Sequence, residues 1–474
     1  MKLKVFFFIS LIILFFSCER SKKQGLDSVS QKKRDLSTLA NTKTNFNIYI
    51  ENSGSMNGYV NTVLPTKFKI CLEKIYGNIE RSSMFKSGTI NFINETICKQ
   101  KVVAGDEKSF LNKLNKHHFE NSGCDFKESA LPEIIKKAIT TNPNDINLLF
   151  SDCIISKNTK KDGPTVGWLT TSEENLRTYI KTELDKNELS CIILKMNSEF
   201  YGTYCVENKS QNPKAKNPIL NGSNRPYYII ISGKPSAIAN LMTNINFTDY
   251  KEIGFENSYY LLSPNPNSFV KTKILIKSNY DLPKNENKKI KKQRTIIKAN
   301  EDNESRSFNF TLAANLDTLK IDNSFLIEKN NYEITNHWHI EKIEPNLDKN
   351  NLANSGYSHI FTIQTDSLEE KQNVTISLKY KLPNWVVKSS NTDDSNPLDT
   401  IKLKNQTFGI ENLLNAFSQA YGKDKFKNKS MFETTVEITK GNVEEDDKPT
   451  KFSWWIFIVI AGSLGIFIYI KNKN

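Results

Sequence analysis

Arginine is scarce in this sequence, and the motifs of several common enzyme classes are missing. The formal net charge of +13 therefore comes almost entirely from lysine. Proteins that read nucleic acids usually rely on the forked guanidinium of arginine, so the lysine excess argues against a nucleic-acid partner. The chain has no glycine-rich phosphate loop, no G-x-S-x-G sequence, no HExxH sequence and no CxxC pair. These absences exclude the common signatures of nucleotide-binding loops, serine hydrolases, zinc proteases and cysteine zinc sites.

Long apolar runs are also rare, and both of them occur at the ends of the chain. A hydrophobic fraction of 38% and a charged fraction of 25% are ordinary for globular domains and exclude a polytopic membrane protein. The length of 474 residues is enough for about two or three domains with their own cores. The densest basic stretch, residues 284–298, is predicted to be a solvated connector rather than a phosphate-binding arm.

The first apolar run predicts export. Residues 5–16 follow two lysines and are too few to span a bilayer, so residues 1–17 are predicted to be a signal peptide. The serine and cysteine at its end are similar to the lipoprotein signal of bacteria, which predicts a lipid on Cys18. Conventional cleavage or an uncleaved anchor is the alternative at this end. Residues 18–43 are polar without periodicity and are predicted to be a flexible tether.

The second apolar run predicts a transmembrane helix at residues 452–470. The run carries no charge, and a helix of this length crosses a hydrocarbon core of about 30 Å. Lysines follow it and the acidic linker 441–451 precedes it, so residues 471–474 are predicted to be cytoplasmic. The predicted location is a bacterial inner membrane, with the bulk of the chain on the periplasmic face, held by this helix and the lipid on Cys18. A buried soluble helix is the alternative.

Six further cysteines lie in the first half of the chain. They are Cys71, Cys98, Cys124, Cys153, Cys191 and Cys205. An oxidising compartment permits up to three disulfides among them, and all fifteen connectivities stay open.

Apolar periodicity divides the rest of the chain into two modules. Residues 44–250 alternate apolar strands with amphipathic helices, which predicts a Rossmann-like α/β domain with a doubly wound, mostly parallel sheet. One helix is predicted to begin at Thr171, whose spacing from Glu174 fits a capping box. Residues 251–440 change to a period of two, which predicts a β-rich sandwich or barrel interrupted by a helix at 408–421.

The strongest chemical signal directly follows the first apolar strand, at residues 51–56 (ENSGSM). Glu51, Ser53 and Ser55 alternate along a loop, so their oxygen atoms point the same way and can converge on one hard cation. The pattern resembles the Asp-x-Ser-x-Ser motif of the von Willebrand factor A domain, whose metal-ion-dependent adhesion site lies at the top of a parallel sheet. The resemblance extends over residues 44–247.

The resemblance implies two further metal ligands. The segment LLFSD is similar to the family's fourth strand, which ends in a metal-site acid and so gives that role to Asp152. An Ala-Leu pair that begins a family helix gives the remaining position to Asp125, with Ser129 or Cys124 as alternatives if the loop is shifted. The implied ion is Mg²⁺ or Ca²⁺. Because Glu51 replaces the family's aspartate and Asp125 replaces a hydroxyl, three carboxylates would surround it.

The predicted function is adhesion. The chain is similar to membrane-anchored A-domain lipoproteins of Bacteroidetes-type bacteria and is predicted to bind an envelope protein through the variant metal site, without being an enzyme. The first alternative is a metal-free scaffold, in which Ser53 and Ser55 cap the following helix and the β-rich module makes the contacts. A metal-dependent hydrolase using Glu51, Asp125 and Asp152 is the minor alternative, because the sequence offers no general acid or base beside an open coordination position.

Overall fold

The computed structural model describes the chain between residues 43 and 441, with internal gaps. The described residues are 43–62, 64–83, 85–124, 130–156, 165–208, 216–262, 270–283, 294–319, 321, 323–347, 356–396, 399–422 and 430–441. They form two compact units. The first comprises the described residues of Met1–Phe269, Leu319–Leu326 and Leu378–Phe432, and the second those of Val270–Thr318, Ile327–Ser377 and Glu433–Asn474.

The first unit is built on a seven-stranded sheet. Its strands are β1 (Thr44–Glu51), β2 (Phe85–Ile93), β3 (Ile97–Lys99), β4 (Ile146–Ser151), β5 (Ser190–Thr203), β6 (Ile219–Gly233) and β7 (Phe255–Leu261). Their spatial order is β3-β2-β1-β4-β6-β5-β7. Central strand β1 pairs in parallel with β2 and with β4, and six of its eight residues are buried. This burial on both faces agrees with the apolar side chains of Phe46, Ile48, Tyr49 and Ile50, while Asn47 and Glu51 are buried polar residues.

The prediction of a doubly wound, mostly parallel sheet is wrong, because the sheet is mixed. Strand β6 is antiparallel to β4 and β5, β7 is antiparallel to β5, and β3 is antiparallel to β2. A parallel neighbour requires a crossover, usually a helix, whereas the described residues between β5 and β6 contain no helix. The two strands therefore pair as a long antiparallel ribbon from Ser190 opposite Gly233 to Thr203 opposite Ile219. Apolar content alone could not reveal this direction, since central strands of either kind are buried.

The helices before residue 270 contribute apolar faces to the same core as the sheet. They are α1 (Asn57–Val60), α2 (Lys67–Arg81), α3 (Glu107–Asn112), α4 (Lys116–Glu120), α5 (Leu131–Thr140), α6 (Thr165–Lys186) and α7 (Pro235–Asn244), followed by a 3-10 helix at Phe247–Ile253. Helix α2 begins after Thr66, whose hydroxyl accepts from the Lys69 amide. The apolar face predicted for it is confirmed, since Phe68, Leu72, Ile75 and Ile79 are all buried.

The predicted start of α6 at Thr171 is wrong. The helix begins at Thr165, and the Thr171 hydroxyl donates to the Gly167 carbonyl at 2.9 Å. This bond runs back along the helix, as threonine side chains often do in a helix interior. The capping-box spacing therefore fell inside a helix that had already begun.

The chain beyond residue 270 contributes to both units. Its elements are, in order, β8 (Thr272–Leu275), β9 (Thr295–Ala299), β10 (Phe308–Ala314), α8 (Asn323–Leu326), β11 (Tyr332–Ile334), β12 (Trp338–Pro345), β13 (His359–Thr365), β14 (Lys371–Lys379), α9 (Asn384–Ser389), β15 (Ser390–Asn391), α10 (Thr400–Asn405), β16 (Thr407–Phe408), α11 (Ile410–Gly422) and β17 (Ser430–Lys440), with 3-10 helices at Leu316–Leu319 and Lys329–Asn331. The helix predicted at 408–421 is found as α11. It lies in the first unit, where Leu413, Leu414 and Phe417 join the core.

The second unit consists of two four-stranded sheets, ordered β12-β13-β10-β8 and β11-β14-β17-β9. Side chains of the two sheets meet: the ring of Tyr332 packs edge-on against Phe361 at 5.3 Å, and the Trp338 indole donates to Gln372 at 3.1 Å. Alternate residues of β13 are buried. The period of two in the sequence thus marks strands with one face on the core between facing sheets.

Among the described residues, no helix is long and apolar enough to cross a membrane. The transmembrane helix of the predicted fold class is corrected accordingly for this part of the chain. The longest described helix, α6, is largely polar. The predicted signal peptide, the lipidation at Cys18, the helix at 452–470 and the tail at 471–474 lie outside the described residues, as do nearly all of 18–43 and 441–451.

Candidate functional site

The candidate site lies where β1 and β4 end. These strands are parallel and adjacent, with Ile50 opposite Phe150, so their carboxyl ends meet at one edge of the sheet. Glu51 and Ser151 are the last residues of the two strands, and Asp152 follows directly. Parallel pairing is therefore what brings residues 100 positions apart to one place.

The loop after β1 is held by hydrogen bonds to its neighbours. The Met56 amide donates to the Ser53 carbonyl at 3.1 Å and closes a turn that leads into α1. The Met56 sulfur accepts from the Asp152 amide at 3.2 Å, which joins the loops after β1 and β4. On the other side, the Asn52 side chain donates to the Phe119 carbonyl at 3.1 Å. The loop is thus a well-anchored part of the sheet edge.

Three of the predicted ligands form one hydrogen-bonded chain. The hydroxyl oxygens of Ser53 and Ser55 lie 3.0 Å apart, and Ser55 also hydrogen-bonds the Asp152 carboxylate. The same carboxylate accepts from the Ile154 amide at 3.2 Å. Ser53 and Asp152 are buried, while Ser55 is partly exposed. The structure therefore brings these three residues together as the sequence predicted.

The fourth predicted residue, Glu51, has a different partner. Its carboxylate is 0% exposed and accepts from the Ser151 hydroxyl. The Ser151 oxygen in turn accepts from the Cys153 amide at 2.8 Å. Cys153 has a φ of 55°, a left-handed conformation that is rare for residues other than glycine. The chain after β4 turns sharply at this point, which lets one serine connect both strands.

A buried arginine that the sequence reasoning missed lies next to this network. Arg225 of β6 is 0% exposed, donates to the Leu403 carbonyl, and places its guanidinium 4.5 Å from the centre of the Tyr204 ring. Burial raises the pKa of Asp152, while the hydrogen bond from Ser55 and the charge of Arg225 oppose that shift. A lone arginine directly before an apolar strand, in an arginine-poor chain, was the available signal. In a parallel sheet, the first half of β6 would lie away from the carboxyl end of β4. Because β6 is antiparallel to β4, Arg225 instead lies at the edge that carries Asp152.

The prediction of a metal-binding site is wrong for the described residues. They contain no group of three or more His, Cys, Asp or Glu side chains that could hold a metal ion. A calcium ion takes about six to eight oxygen ligands and magnesium about six, whereas the oxygens of Ser53, Ser55 and Asp152 are engaged with protein donors. Asp125 and Ser129, the further predicted ligand and one of its alternatives, lie outside the described residues. Of the predicted carboxylates, the described residues include those of Glu51 and Asp152.

The other alternative ligand, Cys124, is bonded to Cys98 in a disulfide that links β3 to the chain before α5. A disulfide sulfur is not a thiolate ligand, so Cys124 cannot take that role. The remaining four of the six cysteines form no disulfide, and they are Cys71, Cys153, Cys191 and Cys205. Burial raises the pKa of the Cys71 and Cys191 thiols to about 12, which keeps them unreactive.

Comparison of the chain with known protein families, with curated proteins and with solved structures found no match. The resemblance to the von Willebrand factor A domain therefore stays a prediction from the motif at residues 51–56.

Proposed function

We propose that this chain is an exported binding protein that holds an envelope protein partner at the edge where β1 and β4 end, without a metal ion and without catalysis. The observation that carries the proposal is the closed hydrogen-bond network of Ser53, Ser55 and Asp152. Its polar groups are partnered within the chain, so the edge is a preformed surface rather than a reactive centre. A preformed surface loses little conformational freedom when a partner binds.

Burial also argues against catalysis at this edge. A serine nucleophile needs a base within hydrogen-bond distance and a substrate that reaches both groups. The carboxylate beside Ser55 belongs to Asp152, which is 1% exposed. Gly54 and Ser55 are the parts of the loop that reach the surface. They suit contact with a partner rather than chemistry on it.

The disulfide between Cys98 and Cys124 supports export. Structural disulfides persist in oxidising compartments and are rare in the cytosol. The apolar segment at residues 5–16, whose length and flanking lysines predict a secretory signal, agrees with this location.

A second candidate is a scaffold whose contacts are made by the second unit. Large apolar side chains are exposed there, with Leu347 at 92% and Ile276 at 78%. Single exposed apolar residues are common, so these two support the scaffold less strongly than the network supports the sheet edge.

Site-specific photo-cross-linking separates the two candidates. A photoreactive amino acid would replace Gly54, Leu347 or Lys86 in the full-length chain in its cell envelope. A Cβ built at Gly54 has no atom within 4 Å, so the label is tolerated there. Lys86 is an exposed residue at the opposite end of β2 and serves as the control.

We expect a protein cross-link from position 54 that persists in chelator and is missing from position 86. Cross-links from position 347 alone would establish the scaffold instead. A cross-link at 54 that disappears with chelator would contradict metal-free binding.

A further inference from the structure

An open cavity of about 690 Å³ lies in the first unit, beside the candidate site. Its lining comes from the chain after α1, from α2, and from α3, α4 and their connection, and includes Thr62, Lys69, Lys113, Lys116 and His117. The hydrogen bond from Asn52 to the Phe119 carbonyl joins the candidate loop to α4. The cavity therefore opens close to the proposed binding edge, yet none of its lining residues belongs to the network described above.

The unusual member of this lining is a buried lysine. Lys69 is 2% exposed, and its ammonium donates to the carbonyls of Thr62 at 2.9 Å and Leu114 at 3.3 Å. Those two bonds use two of its three N–H groups. In the described part of the chain, no ion pair includes Lys69.

An ammonium that the surrounding chain partly removes from water, with no opposite charge beside it, carries a desolvation cost that an ion pair would offset. Burial accordingly lowers the pKa of Lys69. An anion in the cavity would offset this cost and take the third N–H group. The Lys69 ammonium is thus positioned to form an ion pair, and the cavity that it lines is large enough to hold an anion.

The rest of the lining indicates which anion fits. Lys113, Lys116 and His117 add positive or ionisable groups to the lining. The Lys116 ammonium also forms an ion pair with the Glu120 carboxylate at 3.4 Å. No arginine is among the lining residues, so the forked donor that favours phosphate is missing. Several cations spaced along one cavity match an extended acidic peptide better than a single small ion.

We propose that this cavity binds an acidic segment of the protein partner, with one carboxylate of that segment accepting a hydrogen bond from the Lys69 ammonium and neighbouring carboxylates facing Lys113 and Lys116. The inference rests on the proposed binding function and names the chemistry of the partner. The carboxylate replaces the missing counter-charge, and the rim lysines select a run of acidic residues over an isolated one.

The test measures binding of fluorescently labelled hexaglutamate to the full-length chain at low salt, with hexaglutamine as the uncharged control. Lys69→Met keeps the length of the side chain and removes its charge. We expect it to weaken hexaglutamate binding by about thirtyfold. Lys113→Gln, at the rim, should weaken binding by about threefold. Lys86→Gln, an exposed lysine at the far end of β2, should leave binding unchanged.

Because Lys69→Met removes two hydrogen bonds to carbonyls, its melting temperature is measured as well, and Lys113→Gln decides the question if Lys69→Met does not fold. Absence of hexaglutamate binding, or equal weakening by Lys113→Gln and Lys86→Gln, would overturn the proposal. Displacement of the peptide by inorganic phosphate at equal concentration would show a small-anion site instead, and would overturn it too.

The two proposals can fail separately. If Lys69→Met abolishes hexaglutamate binding but leaves the cross-link at position 54 intact, the partner does not use the cavity and only the inference fails. If hexaglutamate binds as expected but position 54 yields no cross-link, the cavity stands as an acidic-peptide site and the proposed edge is wrong.

Discussion

Asp152 illustrates how the surroundings of one side chain determine its behaviour. Burial raises the pKa of its carboxyl group above the ordinary 3.8, and the hydrogen bond from Ser55 and the charge of Arg225 only partly offset that effect. Protonation is therefore more favourable in the folded chain than in the unfolded chain. The contribution of Asp152 to the free energy of unfolding is therefore fully present below pH values near the ordinary pKa. It is lost as the pH rises through the raised pKa of the folded state.

This sign leads to a prediction for Asp152→Asn. The amide cannot ionise, so the variant escapes the loss of stability that the wild type suffers with rising pH. The free energy of unfolding of the variant, relative to wild type, should increase between about pH 4 and about pH 7. Urea unfolding at both pH values measures it. Asp106→Asn, at an exposed position without a side-chain cap bond, is the matched control for replacing a carboxylate by an amide.

At the residue scale, the sequence indicated three of the side chains that meet at this edge, but neither the buried Arg225 beside them nor their hydrogen-bond partners. Ser53, Ser55 and Asp152 meet because alternate loop residues point one way and parallel strand ends coincide, and both features can be read from the chain. Their partners depend on tertiary packing. Ser151 reaches Glu51 across two strands, and Arg225 arrives on a strand whose direction the apolar pattern does not encode.

At the element scale, the segment Leu378–Phe432 shows how distant residues complete the first unit. Its Asp394 is buried, and its carboxylate accepts from the Tyr204 hydroxyl at 2.9 Å and from the amides of Glu207 and Asn208 at 2.9 and 2.8 Å. One carboxylate thus satisfies three donors just beyond the end of β5. A side chain of this kind secures the segment against the sheet.

Asp394→Ala is expected to be strongly destabilising, because it leaves three donors without their acceptor. The cost should be about 3 kcal/mol or more in the free energy of unfolding. Asp393→Ala is the matched control, since Asp393 accepts from Ser395 within the same loop, and its cost should be about 1 kcal/mol. Chemical denaturation of both full-length variants measures the difference. Equal costs would mean that Asp394 does not hold the segment.

At the scale of the whole molecule, the order of modules in the sequence differs from their assembly. The change of period was placed near residue 251, but the next strand, β7, still belongs to the first sheet, and the second unit begins at Val270. The change of period also could not indicate that the segment Leu378–Phe432 returns to the first unit. Periodicity reports which face of an element is buried, whereas the identity of the neighbour that buries it depends on contacts between residues far apart in sequence.

The disulfide connects this architecture to the proposed location, and it leads to the last prediction. Cys98 and Cys124 are 26 residues apart, and closing such a loop commonly contributes about 2 to 4 kcal/mol to the free energy of unfolding. If the chain is exported, protein isolated from the envelope should carry this bond. After unfolding without reductant, a thiol-alkylating reagent should then label Cys71, Cys153, Cys191 and Cys205 but neither Cys98 nor Cys124, as read by peptide mass spectrometry.

The same chain made in a reducing cytoplasm is the control, and there all six cysteines should be labelled. The double variant Cys98→Ser with Cys124→Ser should unfold at a lower denaturant concentration than the oxidised wild type. The decrease in its unfolding midpoint should equal the decrease that reductant causes in the wild type. Because the bond ties β3 to the chain near the proposed binding edge, its loss should also weaken the cross-link from position 54. Alkylation of Cys98 in envelope-derived protein would contradict both the disulfide and the argument for export that depends on it.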